Sequence, residues 1–222
     1  MHENCTGYTR AALAIVMGLF VPWALATDPQ PAEPAARNDA TAATRAANDK
    51  LLQTLPFADK TDFENAHRGF LAALPEGVIK GEQGNVVWDP DKYGFIKDGD
   101  TAPATVNPSL WRQSLLINIS GLFEVTDGIY QVRNLDLSNM TIIEGKDGIT
   151  VVDPLISAET AKVGLGLYYA SRGRKPVKTV IYPHSHVDHY GGVKGTVSED
   201  DIKSGKVQVF APEGFLEAAV NE

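Results

Sequence analysis

Cysteine occurs once in the 222 residues, at Cys5, so neither a disulfide framework nor a thiolate zinc site can form. Any metal site has to be built from His, Asp and Glu, and histidine is itself scarce, with five in the chain. Basic charge is in deficit: 20 Lys and Arg stand against 28 Asp and Glu, for a net charge of −8 and a pI of about 5.1. That balance argues against nucleic acid or an anionic membrane surface as the main partner. An anionic substrate would have to be attracted locally, by metal ions or a few arginines. A long apolar run is missing too. Ala11 to Trp23 falls short of the roughly 20 residues a membrane span needs, and Pro22 interrupts it. No internal repeat is visible. What is present, 43% hydrophobic and 22% charged residues, is ordinary for a globular protein, and the length allows one domain with a sizeable core, or one domain plus an arm.

Three of the five histidines fall in one hexapeptide, His184-Ser185-His186-Val187-Asp188-His189. A single histidine is usually a surface or satisfied core residue. Three within six residues, with an acid between the last two, read as metal ligands, because zinc takes neutral imidazole nitrogens and carboxylate oxygens. Lys178 to Tyr182, rich in β-branched and aromatic residues, predicts a short buried strand ahead of the cluster. Gly191-Gly192 behind it would let the backbone turn tightly around an ion. The cluster is placed on a loop at a strand end, with Pro183 suiting that terminus.

The first 26 residues read as a secretory signal peptide, with Ala11–Trp23 as its apolar region and Ala24-Leu25-Ala26 as the cleavage site before Thr27. Cleavage would remove Cys5, leave the charge at −8 because Glu3 and Arg10 cancel, and place the protein in the periplasm or outside the cell, with no stable membrane anchor. Asp28–Pro34 is an extended linker. Ala40–Leu55 predicts a helix ended by Pro56. Asp59–Phe70 predicts another, with Thr61 and Glu64 as a capping box and His67 on the surface. Gly77–Tyr93 predicts a hairpin with Val86–Trp88 as its better strand. Pro108 suits the first turn of a helix, in which Leu110 and Trp111 could be buried and Arg112 could reach an anion or a partner subunit.

Strand then follows strand: Leu122–Val125, Ile129–Val132, Met140–Glu144 and Ile149–Val152, separated by Asp127-Gly128, Asn134–Asn139 and Lys146–Gly148. Asp153 ends the last of them, in a structural role that could include a hydrogen bond to a metal-bound histidine. Ser157–Arg172 predicts a helix capped by Ser157 and ended by Gly173. After the cluster, Val193–Gly205 reads as an acidic loop, Val207–Phe210 as a strand and Pro212–Glu222 as a helix. The order, antiparallel strands and then strand-helix-strand, predicts an α/β fold with helices covering a sheet.

His184-x-His186-x-Asp188-His189 at a strand end, with a glycine pair behind it, resembles the signature of the metallo-β-lactamase superfamily. The stretches Thr105–Gln113, Gly121–Val125, Ile129–Arg133, Asp136–Met140 and Tyr182–Gly192 are similar to its alkylsulfatase branch, whose members hydrolyse detergents such as dodecyl sulfate. The resemblance covers roughly residues 50–222. It implies an αβ/βα sandwich, represented by its N-terminal half, with a helical N-terminal arm: 1–26 signal peptide, 27–104 linker and arm, 105–222 lactamase-like domain. It implies two Zn2+ per complete site, His184 and His186 on one, Asp188 and His189 on the other, with Asp188 also orienting the nucleophilic hydroxide. The activity implied is hydrolysis of alkyl sulfate esters to alcohol and sulfate, by a homodimer when full length. The family usually has Thr where this chain has Pro183. Its remaining ligands, two glutamates and a histidine, and its sulfate-holding residues lie downstream of Glu222. The 222-residue chain is expected to be an N-terminal fragment, a split-gene product or a truncated frame, inactive by itself. Two alternatives stay open: the same fold acting on another ester, a thioester or a lactam, and a non-catalytic product or half of a split enzyme.

Overall fold

The computed structural model describes residues 38–97 and 99–221; the expected signal peptide and the Asp28–Pro34 linker lie outside them. Thr41 caps α1 (Ala42–Thr54) by accepting from the Thr44 N–H at 3.1 Å. The next helix departs from expectation. α2 (Thr61–His67) starts with Thr61 already helical, and Asp59 Oδ1 accepts from its N–H at 2.8 Å, so no Thr61–Glu64 capping box forms. Phe70 is not helical either: the chain breaks at Gly69, φ +73°, and leaves as strand β1 (Phe70–Ala72). A Cβ on Gly69 would strike the Glu124 carbonyl, so the close approach of arm to sheet demands glycine there.

β2 (Ile79–Lys80) and β3 (Val86–Trp88) form the expected hairpin. Pro108 opens α3 (Pro108–Ile117), capped by the Asn107 side chain. Of the two residues expected in the core there, Trp111 is buried and donates to the Asp100 carbonyl at 3.1 Å, while Leu110 is 60% exposed. Arg112 turns inward on the arm: it donates to Asp62 at 2.9 Å and to the Asp59 carbonyl at 3.1 Å, and lies over the Phe63 ring.

The alternating runs become β4 (Gly121–Thr126), β5 (Ile129–Arg133), β6 (Met140–Glu144) and β7 (Ile149–Val152), each antiparallel to the one before. α4 (Ala158–Arg172), capped by Ser157 and ended by Gly173 at φ +82°, carries the chain back to β8 (Val177–Ile181), which is parallel to β7. The stretch expected as an acidic loop contains α5 (Glu199–Lys203). Ser198 Oγ accepts from the Asp201 N–H at 3.1 Å, and the three acids of the first turn face the positive end of the helix dipole. β9 (Gln208–Phe210) adds parallel to β8, and α6 (Phe215–Asn221) follows. The sheet order is β1-β4-β5-β6-β7-β8-β9.

Period two puts Tyr130, Val132, Met140, Ile142, Ile149, Val151 and Val180 on one face, where they are fully buried under Ala161, Leu165 and Tyr168 of α4. The other face carries half-buried Gln131, Thr141 and Thr150 and the more exposed Ile143. Its β4 end is covered by the arm: Phe123 is buried beneath Phe70, ring centroids 5.5 Å apart, and Arg133 at 4.4 Å. Among the described residues no helix is long and apolar enough to cross a membrane.

The topology sets where side chains can meet. β7 and β8 run parallel, so their C-terminal ends lie side by side. β6 is antiparallel to β7, with Thr141 opposite Val152, so its N-terminal end joins them. Three connections, 134–139, 153–157 and 182–195, share that end of the sheet. The opposite end is fastened by Glu144, which accepts from Tyr168 Oη at 2.7 Å and pairs with Lys175 Nζ at 2.7 Å and Arg172 at 3.6 Å.

Candidate metal centre

The histidine cluster leaves β8 at the shared end. The Tyr182 N–H still donates to the Phe210 carbonyl at 2.8 Å, so the missing N–H of Pro183 falls just beyond the last ladder bond. His184 to His186 form a loop, and Val187–His189 a single 3-10 turn. The His184 ring lies 4.7 Å from that of His186 and 4.1 Å from that of His189, and His189 Nε2 lies 3.3 Å from Asp188 Oδ2. All four expected ligands thus sit within one small volume. Among the described residues, no group of three or more His, Cys, Asp or Glu side chains is arranged to hold a metal ion. The chemistry of the donor set fits zinc nonetheless: three imidazoles and one carboxylate, with one imidazole already oriented through its other nitrogen.

That orientation comes from Asp153. Its Oδ2 contacts His189 Nδ1, and its Oδ1 accepts from the Leu155 N–H at 3.2 Å. Asp153 and Leu155 both adopt left-handed backbone, φ +61° and +66°, a rare conformation for leucine and a tolerated one for aspartate. Burial pushes the Asp153 carboxyl up from the usual range, and the His189 and Leu155 hydrogen bonds pull it back.

The glycine pair acts differently from the expected turn around an ion. Neither Gly191 nor Gly192 has positive φ. A Cβ on Gly191 would meet the Ile156 carbonyl, and one on Gly192 the carbonyls of Pro154 and Ser157 and the Ala161 Cβ. Segment 191–195 lies flat against 154–158, and glycine is needed for proximity.

Sequence reasoning missed part of this end of the sheet. Among the described residues, the buried polar side chains are Asp136, Ser138, Asp153 and Thr160, and all four belong to one connected group. Asp136 Oδ1 accepts from the Ser138 N–H at 3.0 Å, and its Oδ2 from Thr160 Oγ at 2.6 Å and the Ile156 N–H at 3.2 Å. Ser138 Oγ donates to the Asp188 carbonyl at 2.7 Å and lies 3.2 Å from His189 Nδ1. Burial pushes the Asp136 carboxyl up, against three donors that favour its charge. The one signal available was the Asp-x-Ser spacing of an Asx turn, which says nothing about burial.

A cavity of 510 Å³ lies between the arm and α3 among Leu52, Phe57, Phe63 and Trp111, and none of its lining belongs to the histidine cluster.

A linear primary-alkylsulfatase of Pseudomonas sp is 65% identical over 217 residues, 98% of this chain and 31% of its own length. An alkyl/aryl-sulfatase of Saccharomyces cerevisiae is 54% identical over 179 residues, 81% of this chain and 28% of its own. Residues 133–221 match the model of the metallo-beta-lactamase superfamily. The superfamily likeness thus lies in residues 133–221, and over most of its length the chain is similar to alkylsulfatases. Among solved structures, the stereoselective inverting sec-alkylsulfatase Pisa1 from Pseudomonas sp. is similar with a TM-score of 0.75 and 54% identity, over 83% of this chain and 29% of that one. The chain spans less than a third of the length of these relatives. The superfamily match takes in loop 134–139, Asp153, α4 and the histidine cluster.

Proposed function

We propose that this chain carries the His-x-His-x-Asp-His portion of a zinc-dependent hydrolase of alkyl sulfate esters. What supports the reading is the 65% identity to a linear primary-alkylsulfatase across 98% of the chain, together with the cluster at the C-terminal end of β8. His184 and His186 would hold one zinc, and Asp188 and His189 a second, with Asp153 fixing the His189 ring. Zinc, when bound, lowers the pKa of a water to near neutrality and offsets the charge of an anionic ester. Asp188 is the one carboxylate of the cluster and the candidate for orienting the attacking water.

Four ligands shared between two ions leave each short of a closed coordination shell. The isolated chain should bind Zn2+ without multiple turnover. Zn2+ at about 100 times its Kd should stabilise the chain by roughly 2.7 kcal/mol, and His184→Ala or His186→Ala should abolish that shift. No zinc-dependent shift in the unfolding midpoint would end the metal assignment. For activity, the chain should replace the matching segment of the 65%-identical Pseudomonas enzyme. The chimera should release sulfate from an alkyl sulfate and lose this with His186→Ala. A folded chimera that turns over a thioester or a lactam instead would point to another hydrolase of the same fold.

A further inference from the structure

We propose that Ser138 is a positioning residue for the His189 imidazole, held in place by Asp136 and, through it, by the N-terminal turn of α4. Three observations converge on it. Four buried polar residues form one chain of contacts that ends on His189: Thr160 to Asp136, Asp136 to Ser138, and Ser138 with Asp153 to His189. Among the described residues, the non-glycine residues with positive φ, Asn134, Asp153 and Leu155, all border this chain, with the rare leucine conformation beside its anchor. The loop bearing Ser138 is also pinned at its base, where the Asn134 N–H donates to Asn139 Oδ1 at 3.3 Å and its side-chain amide to Asn118 Oδ1 at 3.3 Å.

The proton count decides what Ser138 can do. A serine hydroxyl has one hydrogen, and here it goes to the Asp188 carbonyl at 2.7 Å. Toward His189 Nδ1, at 3.2 Å, the oxygen can only accept. Nδ1 consequently carries a proton, shared between Asp153 and Ser138, while Nε2 faces Asp188 Oδ2 at 3.3 Å. Ser138 adds what Asp153 alone cannot: its bond to the Asp188 carbonyl fixes the 3-10 turn from which both Asp188 and His189 project. One hydroxyl thereby ties the backbone of two candidate ligands to the acceptor side of one ring. Asp136, gripping the Ser138 N–H, the Ile156 N–H and Thr160 Oγ, makes the base of that tie rigid.

The functional consequence rests on the zinc reading; the geometric part does not. In the metal-free 222-residue chain with 15N-labelled histidine, the His189 ring should show a protonated Nδ1. Ser138→Ala should move these signals toward tautomer averaging and weaken Zn2+ affinity by roughly 10-fold, the low end of what removing such an outer partner does. Ser138→Thr, which keeps the oxygen, should restore both. Thr160→Val, isosteric and two links away, should shift the ring signals in the same direction by less. Urea unfolding of each variant separates positioning from global destabilisation, and Ser138→Cys carries the same test should Ser138→Ala not fold. Ring signals and Zn2+ affinity both unchanged in Ser138→Ala would overturn the proposal. If the wild-type chain binds no Zn2+, the metal reading fails and the ring signals alone judge Ser138.

Discussion

Replacing Gly192 by alanine should destabilise the protein, and replacing Gly166 by alanine should stabilise it. Gly192 has φ −82° and ψ 2°, a conformation alanine adopts, so the unfolded-state entropy term by itself favours the substitution by about 0.4–1 kcal/mol. Opposing it, the added Cβ meets the Pro154 and Ser157 carbonyls and the Ala161 Cβ, none of which is the far end of a flexible side chain. Overpacking of this kind costs about 1–3 kcal/mol. The steric term wins, for a net loss of roughly 1–2 kcal/mol, and the strain falls on the contact that seats segment 191–195 below the histidine cluster. Gly166 lies on the exposed side of α4 with nothing within 4 Å of its would-be Cβ, so only helix propensity acts, a gain of about 1 kcal/mol. Gly164 stands between them: its Cβ would meet Leu135 at 3.2 Å and Val132 at 3.4 Å, both methyls of buried side chains rather than backbone. Urea unfolding with linear extrapolation should order the three as 166, 164, 192 from most to least stable. A Gly192→Ala protein as stable as wild type would show that the close approach between 154–158 and 191–195 does not hold.

Glu144 and the arm supply two further tests. Glu144 is held below the usual carboxylate range, first by the hydrogen bond from Lys175, then by Tyr168 and Arg172. Its folded pKa lies under the unfolded value, so its contribution is present above about pH 4.3 and fades as pH falls through the folded pKa. Glu144→Gln should cost about 1 kcal/mol at pH 7 and a fraction of that at pH 3, and an equal cost at both would sink the assignment. In the arm, Asp62 is 62% exposed, so Asp62→Ala should cost under about 0.5 kcal/mol. Arg112→Ala also loses the Asp59 carbonyl bond and the Phe63 ring contact, and should cost about 1–2 kcal/mol. Equal losses from the two substitutions would assign the energy to the ion pair alone.

The sheet was legible because its cues are local. Alternation in Ile129–Val132 and Met140–Glu144 tells which side chains face the core, and Asp127-Gly128 and Lys146–Gly148 mark where the chain reverses. Ser157 and Gly173 bracket α4 by capping chemistry that needs no tertiary partner. The errors share a different cause. Phe70 leaves its helix for a strand because β4 offers a pairing edge some fifty residues later in the chain, and no window around Phe70 contains that edge. Asp136, Ser138 and Thr160 each look like loop or surface polarity in sequence. Their burial follows from bringing β6, α4 and the cluster together. The histidines were readable because a metal demands an unusual composition. Their supports were not, because a hydroxyl and a carboxylate are common everywhere.

The switch from antiparallel to parallel pairing at β7 also divides the molecule by tolerance to change. The connections at Asp127-Gly128, 145–148 and 173–176 all lie at the end opposite the histidines, about 13 Å away along a four-residue strand. Loop-length drift, epitope tags or fused domains can accumulate there while the cluster end keeps its spacing. The fold thus keeps one margin for variation and the other for chemistry, with Glu144 and its cations marking the boundary.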